Sequence, residues 1–289
     1  MAMVSVSLEP VANYHCQVGE NPLWDAREGR LYWADIDSGR LFRVDHETRE
    51  HECFHQNPDK IGGFTFQEDG ALLLFEVDRI ALLGKDGTRR VVAEQIDSGM
   101  VRFNDVIADP EGRVFAGTIG KSDESGGLFR VNLDGSVETV WRGTGCANGM
   151  GFSPDLRQFY WTCSTTYLIY VADYERETGA LRNRRVFHRA VREQGIPDGL
   201  AVDRLGRVWS ARWDGSALLC LDARGDVLER AELPVSRVSS AAFGGPELDT
   251  LYVTTAGGTW EGSAPEEGTL YRFKVPVPGT VEFRSRVRL

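Results

Sequence analysis

Two apolar runs joined by a turn recur six times along this chain, and no other feature narrows its possible folds as far. The copies read LYWADIDSGRLFRVD from Leu31, ALLLFEVDRIALLGKDG from Ala71, RVFAGT…GLFRVNLDG from Arg113, QFYWTCSTTYLIYVADYE from Gln158, RVWSARWDGSALLCLDARG from Arg207 and TLYVTTAGG…GTLYRFKV from Thr250. A period of roughly 40–50 residues is that of propeller blades with four strands each. Each copy follows a turn of similar chemistry: WDAREGR, QEDG, DPEGR, SPDLR, DRLGR or GGPELDT. Asp, Gly and Pro supply turn geometry at such points. Another short segment precedes each turn: GENPLW, KIGGFTF, RFNDVIAD, ANGMGFS, PDGLAVD or VSSAAFG. A unit therefore reads strand, turn, strand, turn, strand, with a fourth strand visible in places, such as RVVAE at 90–94.

Long amphipathic helical periods are missing, and only Arg189–Gln194 suits one short helical turn. The expectation is an all-β chain: one six-bladed β-propeller domain over residues 1–289, with four-stranded blades around a central metal-containing channel. A strand near Val4–Val11 is expected to complete the last blade, sealing the ring and removing its edges.

The formal net charge is −10, and no stripe of Lys and Arg appears. That argues against a nucleic-acid partner and against anionic membrane surfaces. The first residues, MAMVSVSLEPVANYHC, lack the basic and apolar regions of a secretory leader, and no apolar run is long enough to span a bilayer. Cys16, Cys53, Cys146, Cys163 and Cys220 are odd in number and form no CxxC pair. Neither a disulfide framework nor a thiolate zinc site is indicated, and a reducing cytoplasm is the simplest location. His51, Cys53 and His55 alternate on one strand, which reads as an exposed outer strand. No GxSxG elbow and no phosphate-cradling loop before a helix is present, and no obligate protein partner is evident.

First strands of a propeller crowd the axis, where small side chains fit. Into them this sequence places Glu20, Asn104, Asn148 and Asp198, each ten or eleven residues ahead of Leu31, Val114, Phe159 and Val208. Equivalent positions in equivalent blades lie on one ring, so these residues should converge. The other two units present Gly62–Gly63 and Ser239–Ser240 there, which leave room. Two buried carboxylates repel, and a divalent cation resolves both the repulsion and the burial. An all-oxygen set suits a hard or intermediate ion such as Ca²⁺, Mg²⁺ or Mn²⁺ and leaves positions for water and substrate. Taken singly, each is also an ordinary turn or strand-end residue. Arg102 lies two residues before Asn104, hence on the same strand face, and should point into the channel to hold substrate oxygens or an oxyanion. Its structural alternative is an ion pair with Asp105 or Glu20.

These segments resemble the regucalcin/gluconolactonase family, also called the senescence marker protein family, from about Gly19 to Thr255. GENPLW, RFNDVIADPEGRVFAGT, CANGMGFSPD and IPDGLAVD carry the likeness. The resemblance implies a six-bladed propeller with an axial divalent metal, and lactonases, mostly acting on aldonolactones, that accept Ca²⁺, Zn²⁺, Mn²⁺ or Mg²⁺. It implies Glu20, Asn148 and Asp198 as metal ligands, with Arg102 and Asn104 on the substrate. The sequence departs from the animal members at GTIGKSDE, where Lys121 and Ser122 replace acidic residues. It looks nearer to bacterial gluconolactonases and xylonolactonases.

The expected reaction is hydrolysis of a small aldonolactone to its aldonic acid, with the carbonyl polarised by the metal and Asp198 passing a proton from water to the ring oxygen. Two other readings share the fold: a calcium-dependent phosphotriester hydrolase, and a non-catalytic calcium-binding propeller.

Overall fold

The computed structural model describes residues 2–4 and 7–288, with side chains from residue 7 onward. Six sheets, each built on an antiparallel meander, follow one another along the chain and pack around an axis as a six-bladed β-propeller. Blade one comprises Gly19–Asp25, Arg30–Asp35, Arg40–Asp45 and His51–Gln56. Blade two comprises Gly63–Phe66, Leu72–Phe75, Arg79–Leu83 and Arg89–Glu94. Blade three is Met100–Ala108, Val114–Gly120, Gly126–Val131 and Val137–Thr144. Blade four is Ala147–Phe152, Gln158–Cys163, Leu168–Glu175 and Ala180–Arg189. Blade five is Ile196–Val202, Val208–Trp213, Ala217–Leu221 and Val227–Glu232, and blade six is built on Val238–Gly244, Thr250–Thr255 and Thr269–Lys274. Among the described residues no α-helix forms; Arg192–Gln194, inside the stretch expected to make a helical turn, is a 3₁₀ turn.

The chain start closes the ring. Glu9–Asn13 runs antiparallel to Thr269–Lys274 as the outermost strand of blade six. The closing strand thus begins later than the expected Val4–Val11, of which residues 5 and 6 lie outside the described ones. Leu8, Val11 and Tyr14 pack on the core around blade six, and that anchorage sets the register. Upstream, Ala2–Val4 pairs in parallel with Val227–Glu232 and widens blade five to five strands.

Apolar clusters fill the spaces between blades, with Trp33, Trp161 and Trp209 almost wholly buried on second strands. The recurrent turn after each first strand is held by side chains. In DPEGR, Asp109 accepts from the backbone N–H of Glu111 and Arg113 while its second oxygen takes Arg113 Nε at 2.6 Å. DRLGR repeats this with Asp203 and Arg207, again at 2.6 Å. At this end of the molecule the C-terminal tail crosses the axis. It bridges from Asp203 at Gly279 to Gln67 at Ser285, and places Glu282 and Phe283 beneath the first strands. The channel is therefore capped at one end, and the opposite end carries the candidate site.

Candidate metal centre

Glu20, Asn104, Asn148 and Asp198 all fall on innermost strands, and all line one cavity of about 250 Å³ together with Arg102. Local backbone irregularity aims them there. Pairing with the second strand slips between Glu20 and Leu23, Phe103 and Val106, Asn148 and Met150, and Pro197 and Leu200. Bulges re-aim side chains that a regular pleat would send into the blade interfaces. Blade two has no such slip, and it is the blade that offers only Gly62 and Gly63. Close approach of the strands demands glycine: a Cβ on Gly149 would stand 2.5 Å from the Asp198 carbonyl oxygen.

The four residues are buried, each 5–7% exposed. Glu20 Oε2 accepts from the Asn21 N–H at 2.9 Å. Asn104 is fixed at both ends: Nδ2 donates to the Ala147 carbonyl at 3.0 Å, and Oδ1 accepts from Arg102 Nη1 at 2.6 Å. The same Nη1 donates to the Phe103 carbonyl at 2.8 Å. Arg102 makes no ion pair within 4 Å among the described residues, so neither Asp105 nor Glu20 neutralises it directly. Asn148 Nδ2 donates to Ser164 Oγ at 3.2 Å, and Ser164 Oγ donates to the Pro197 carbonyl at 2.8 Å. That leaves two buried acceptors with no donor among the described residues: Asn148 Oδ1 and Asp198 Oδ1.

Burial, then the charge of Asp105, pushes the Glu20 carboxyl up to about 8 against the help of the Asn21 N–H and Arg102. Burial alone raises Asp105 to about 7. Asp198 lies well above the usual carboxylate range through burial and the charges of Glu20 and Asp105, with Arg102 and Asn148 opposing. Glu20 and Asp198 in the cavity, Asp105 deeper along the axis and the two donorless oxygens make a place short of positive charge. A divalent cation with oxygen preference fits that shortage, and Glu20, Asn148 and Asp198 would hold it. The amide is essential to this set, because no three His, Cys, Asp or Glu side chains among the described residues stand at ligand spacing.

Val18, Ile36, Ile119 and Ile196, which carried no sequence signal, form apolar walls together with Trp213, and Cys146 and Ser164 sit beside the asparagines. Lys121 does not line the cavity, its Nζ donating to the Ser98 carbonyl at 2.9 Å. Asp105 and Glu282 meet in a small chamber deeper along the axis. The strand His51–Gln56 lies at the blade edge, with His51 engaged by Tyr14 and Cys53 exposed.

A six-bladed propeller whose axial cavity gathers acidic and amide oxygens beside an arginine defines the class of protein. Within it, the chain belongs to the SMP-30/gluconolactonase/LRE-like family, whose region matches residues 18–257. A relative named pentonolactonase XacC, from Haloferax volcanii, is 47% identical over 96% of this chain and 98% of its own. A 6-deoxy-6-sulfogluconolactonase from Pseudomonas putida is 34% identical over 96% of this chain and 97% of its own. A calcium-binding protein, regucalcin, from Agrobacterium tumefaciens has the same fold, with a TM-score of 0.92, 24% identity and full coverage of both chains.

Proposed function

We propose that this chain hydrolyses a sugar lactone to the aldonic acid, using one divalent cation held by Glu20, Asn148 and Asp198. The observation that carries the reading is the pair of buried, donorless oxygens of Asn148 and Asp198 in a cavity that also admits a guanidinium. A bound divalent cation supplies Lewis-acid polarisation of the substrate carbonyl. Arg102 lines the same cavity, keeps Nε and Nη2 without protein partners among the described residues, and can hold sugar hydroxyls or the developing oxyanion. Asn104 fixes the Arg102 fork through its Oδ1 and shares in binding the substrate. Asp198 takes a proton from the attacking water and returns it to the ring oxygen, so the ester C–O bond breaks as the acid and a hydroxyl form. The apolar walls from Ile36, Ile119, Ile196 and Trp213 suit a compact ring and keep bulk water low.

The relatives named for pentonolactone and 6-deoxy-6-sulfogluconolactone favour an aldonolactone, and a five-carbon ring is the first to try. The test is a panel of pentono- and hexonolactones, with a phosphotriester in parallel, on chelator-stripped protein with each divalent ion restored. Lactone turnover that returns with metal supports the proposal. Phosphotriester turnover without lactone turnover, or no turnover with any ion, contradicts it.

A further inference from the structure

Arg212 is completely buried, and none of its Nε, Nη1 and Nη2 finds an acceptor among the described residues. Alternation along Val208–Trp213 settles which way it faces. Val208 packs in the cluster shared with blade four, whereas Trp209 and Ala211 pack in the cluster around blades six and one. Arg212 keeps the parity of Val208 in an unbroken register with the third strand, so it faces blade four. Opposite, Thr162, Ile169 and His188 form one cross-strand row, and Ile169 belongs to the same cluster as Val208. Two atoms of that row are also buried without partners: Thr162 Oγ1, and His188 Nε2, which is an acceptor because Nδ1 donates to the Gly225 carbonyl at 2.8 Å.

The charges make this place anomalous. Burial pulls the Arg212 guanidinium down to about 9, and the one other charge acting on it is Arg230, which repels. His188 is lowered by burial and then by Arg212 itself. No carboxylate acts on the Arg212 guanidinium, and the one acid acting on His188, Asp226, is the smallest of the influences on it. A buried, unpaired guanidinium is among the costliest groups a fold can hold, and one counter-charge removes most of that cost. Arg212 offers only donors, and the Thr162 hydroxyl can offer another.

We propose that the interface between blades four and five binds a monovalent inorganic anion, chloride in the native protein, on the Arg212 guanidinium with the Thr162 hydroxyl as a further donor. Complete burial of Arg212 favours a single-atom ion over a metabolite carboxylate. The position ties this site to the axial one without sharing its residues. Thr162 is the register partner of Asn148, and Arg212 that of Pro197, which precedes Asp198. The anion would stiffen the two strands that carry these side chains.

Crystals grown in bromide, measured at the bromine absorption edge, test the site directly. An anomalous peak within hydrogen-bond reach of the Arg212 guanidinium is expected. Melting at fixed ionic strength, with chloride replaced by isethionate, gives the solution counterpart. The midpoint should rise saturably with chloride, by roughly 2–4 °C at about ten times the dissociation constant, and R212M should lose that response. Absence of the bromide peak, as expected if water or the His188 Nε2 acceptor solvates the guanidinium, overturns the proposal. An equal chloride response in R212M overturns it as well. Should R212M not fold, the bromide map decides alone, and neither result depends on lactonase activity.

Discussion

At the residue scale, Glu20 shows what the axial cavity demands: its carboxyl moves from an ordinary 4.5 to about 8 because burial and Asp105 both disfavour its charge. A folded state that keeps a proton the unfolded chain has released loses stability as pH rises between those two values. Metal-free protein should therefore melt lower at pH 8 than at pH 5, with the full penalty present above the folded value. A bound cation supplies the missing charge, so the gain in melting temperature on adding Ca²⁺ after chelation should be larger at pH 8. Equal gains at both pH values would contradict the electrostatic reading. Asp198→Asn should lower kcat by about 10²–10⁴-fold at saturating metal, the usual span for a lost acid–base group. Normal turnover in that variant removes Asp198 from the proton path. Arg102→Leu should cost about 10²–10³-fold in kcat, as expected for one lost oxyanion donor, while metal affinity measured by calorimetry stays within a few-fold.

At the element scale, the innermost strands combine bulges with glycines. Gly149 illustrates the fit, since a Cβ there would meet the Asp198 carbonyl oxygen at 2.5 Å. Gly149→Ala should destabilise by about 1–3 kcal/mol in urea unfolding, the usual cost of overpacking, and weaken metal binding because it pushes apart the strands of Asn148 and Asp198. This also explains what the sequence could and could not disclose. Repeat spacing sufficed to place Glu20, Asn104, Asn148 and Asp198 on one ring, because a closed repeat turns equal offsets into equal heights. Asn148–Gly149 and Asp198–Gly199 look like turn dipeptides, yet both lie inside strands. Tertiary crowding, which local propensity cannot express, decides their conformation. The walls from Ile119 and Ile196 and the deeper acid Glu282 were illegible, because apolar strand residues and an irregular tail carry no periodic mark. The closing strand was displaced toward Glu9–Asn13 because its partner, Thr269–Lys274, fixes the register from the far end of the chain.

At the scale of the whole molecule, the axial site exists only while the ring is closed, since its oxygens come from blades one, three, four and five. Glu9–Asn13 provides that closure by covering the edge of Thr269–Lys274. A chain starting at Tyr14 leaves that edge bare and should melt lower and aggregate on warming, as light scattering would register. Unchanged melting and clear solutions would show that closure rests on the blade interfaces instead. The tail across the opposite end, with Glu282 under the axis, leaves the mouth lined by Arg102 and Trp213 as the route for substrate. The proposed function depends on one cation at the hub, and a manganese anomalous difference map from Mn²⁺-loaded crystals examines that claim most directly. A single axial peak within about 2.5 Å of oxygens from Glu20, Asn148 and Asp198 is the result expected for oxygen-ligated divalent ions. An empty axis at saturating Mn²⁺, or a peak held by other residues, would contradict it.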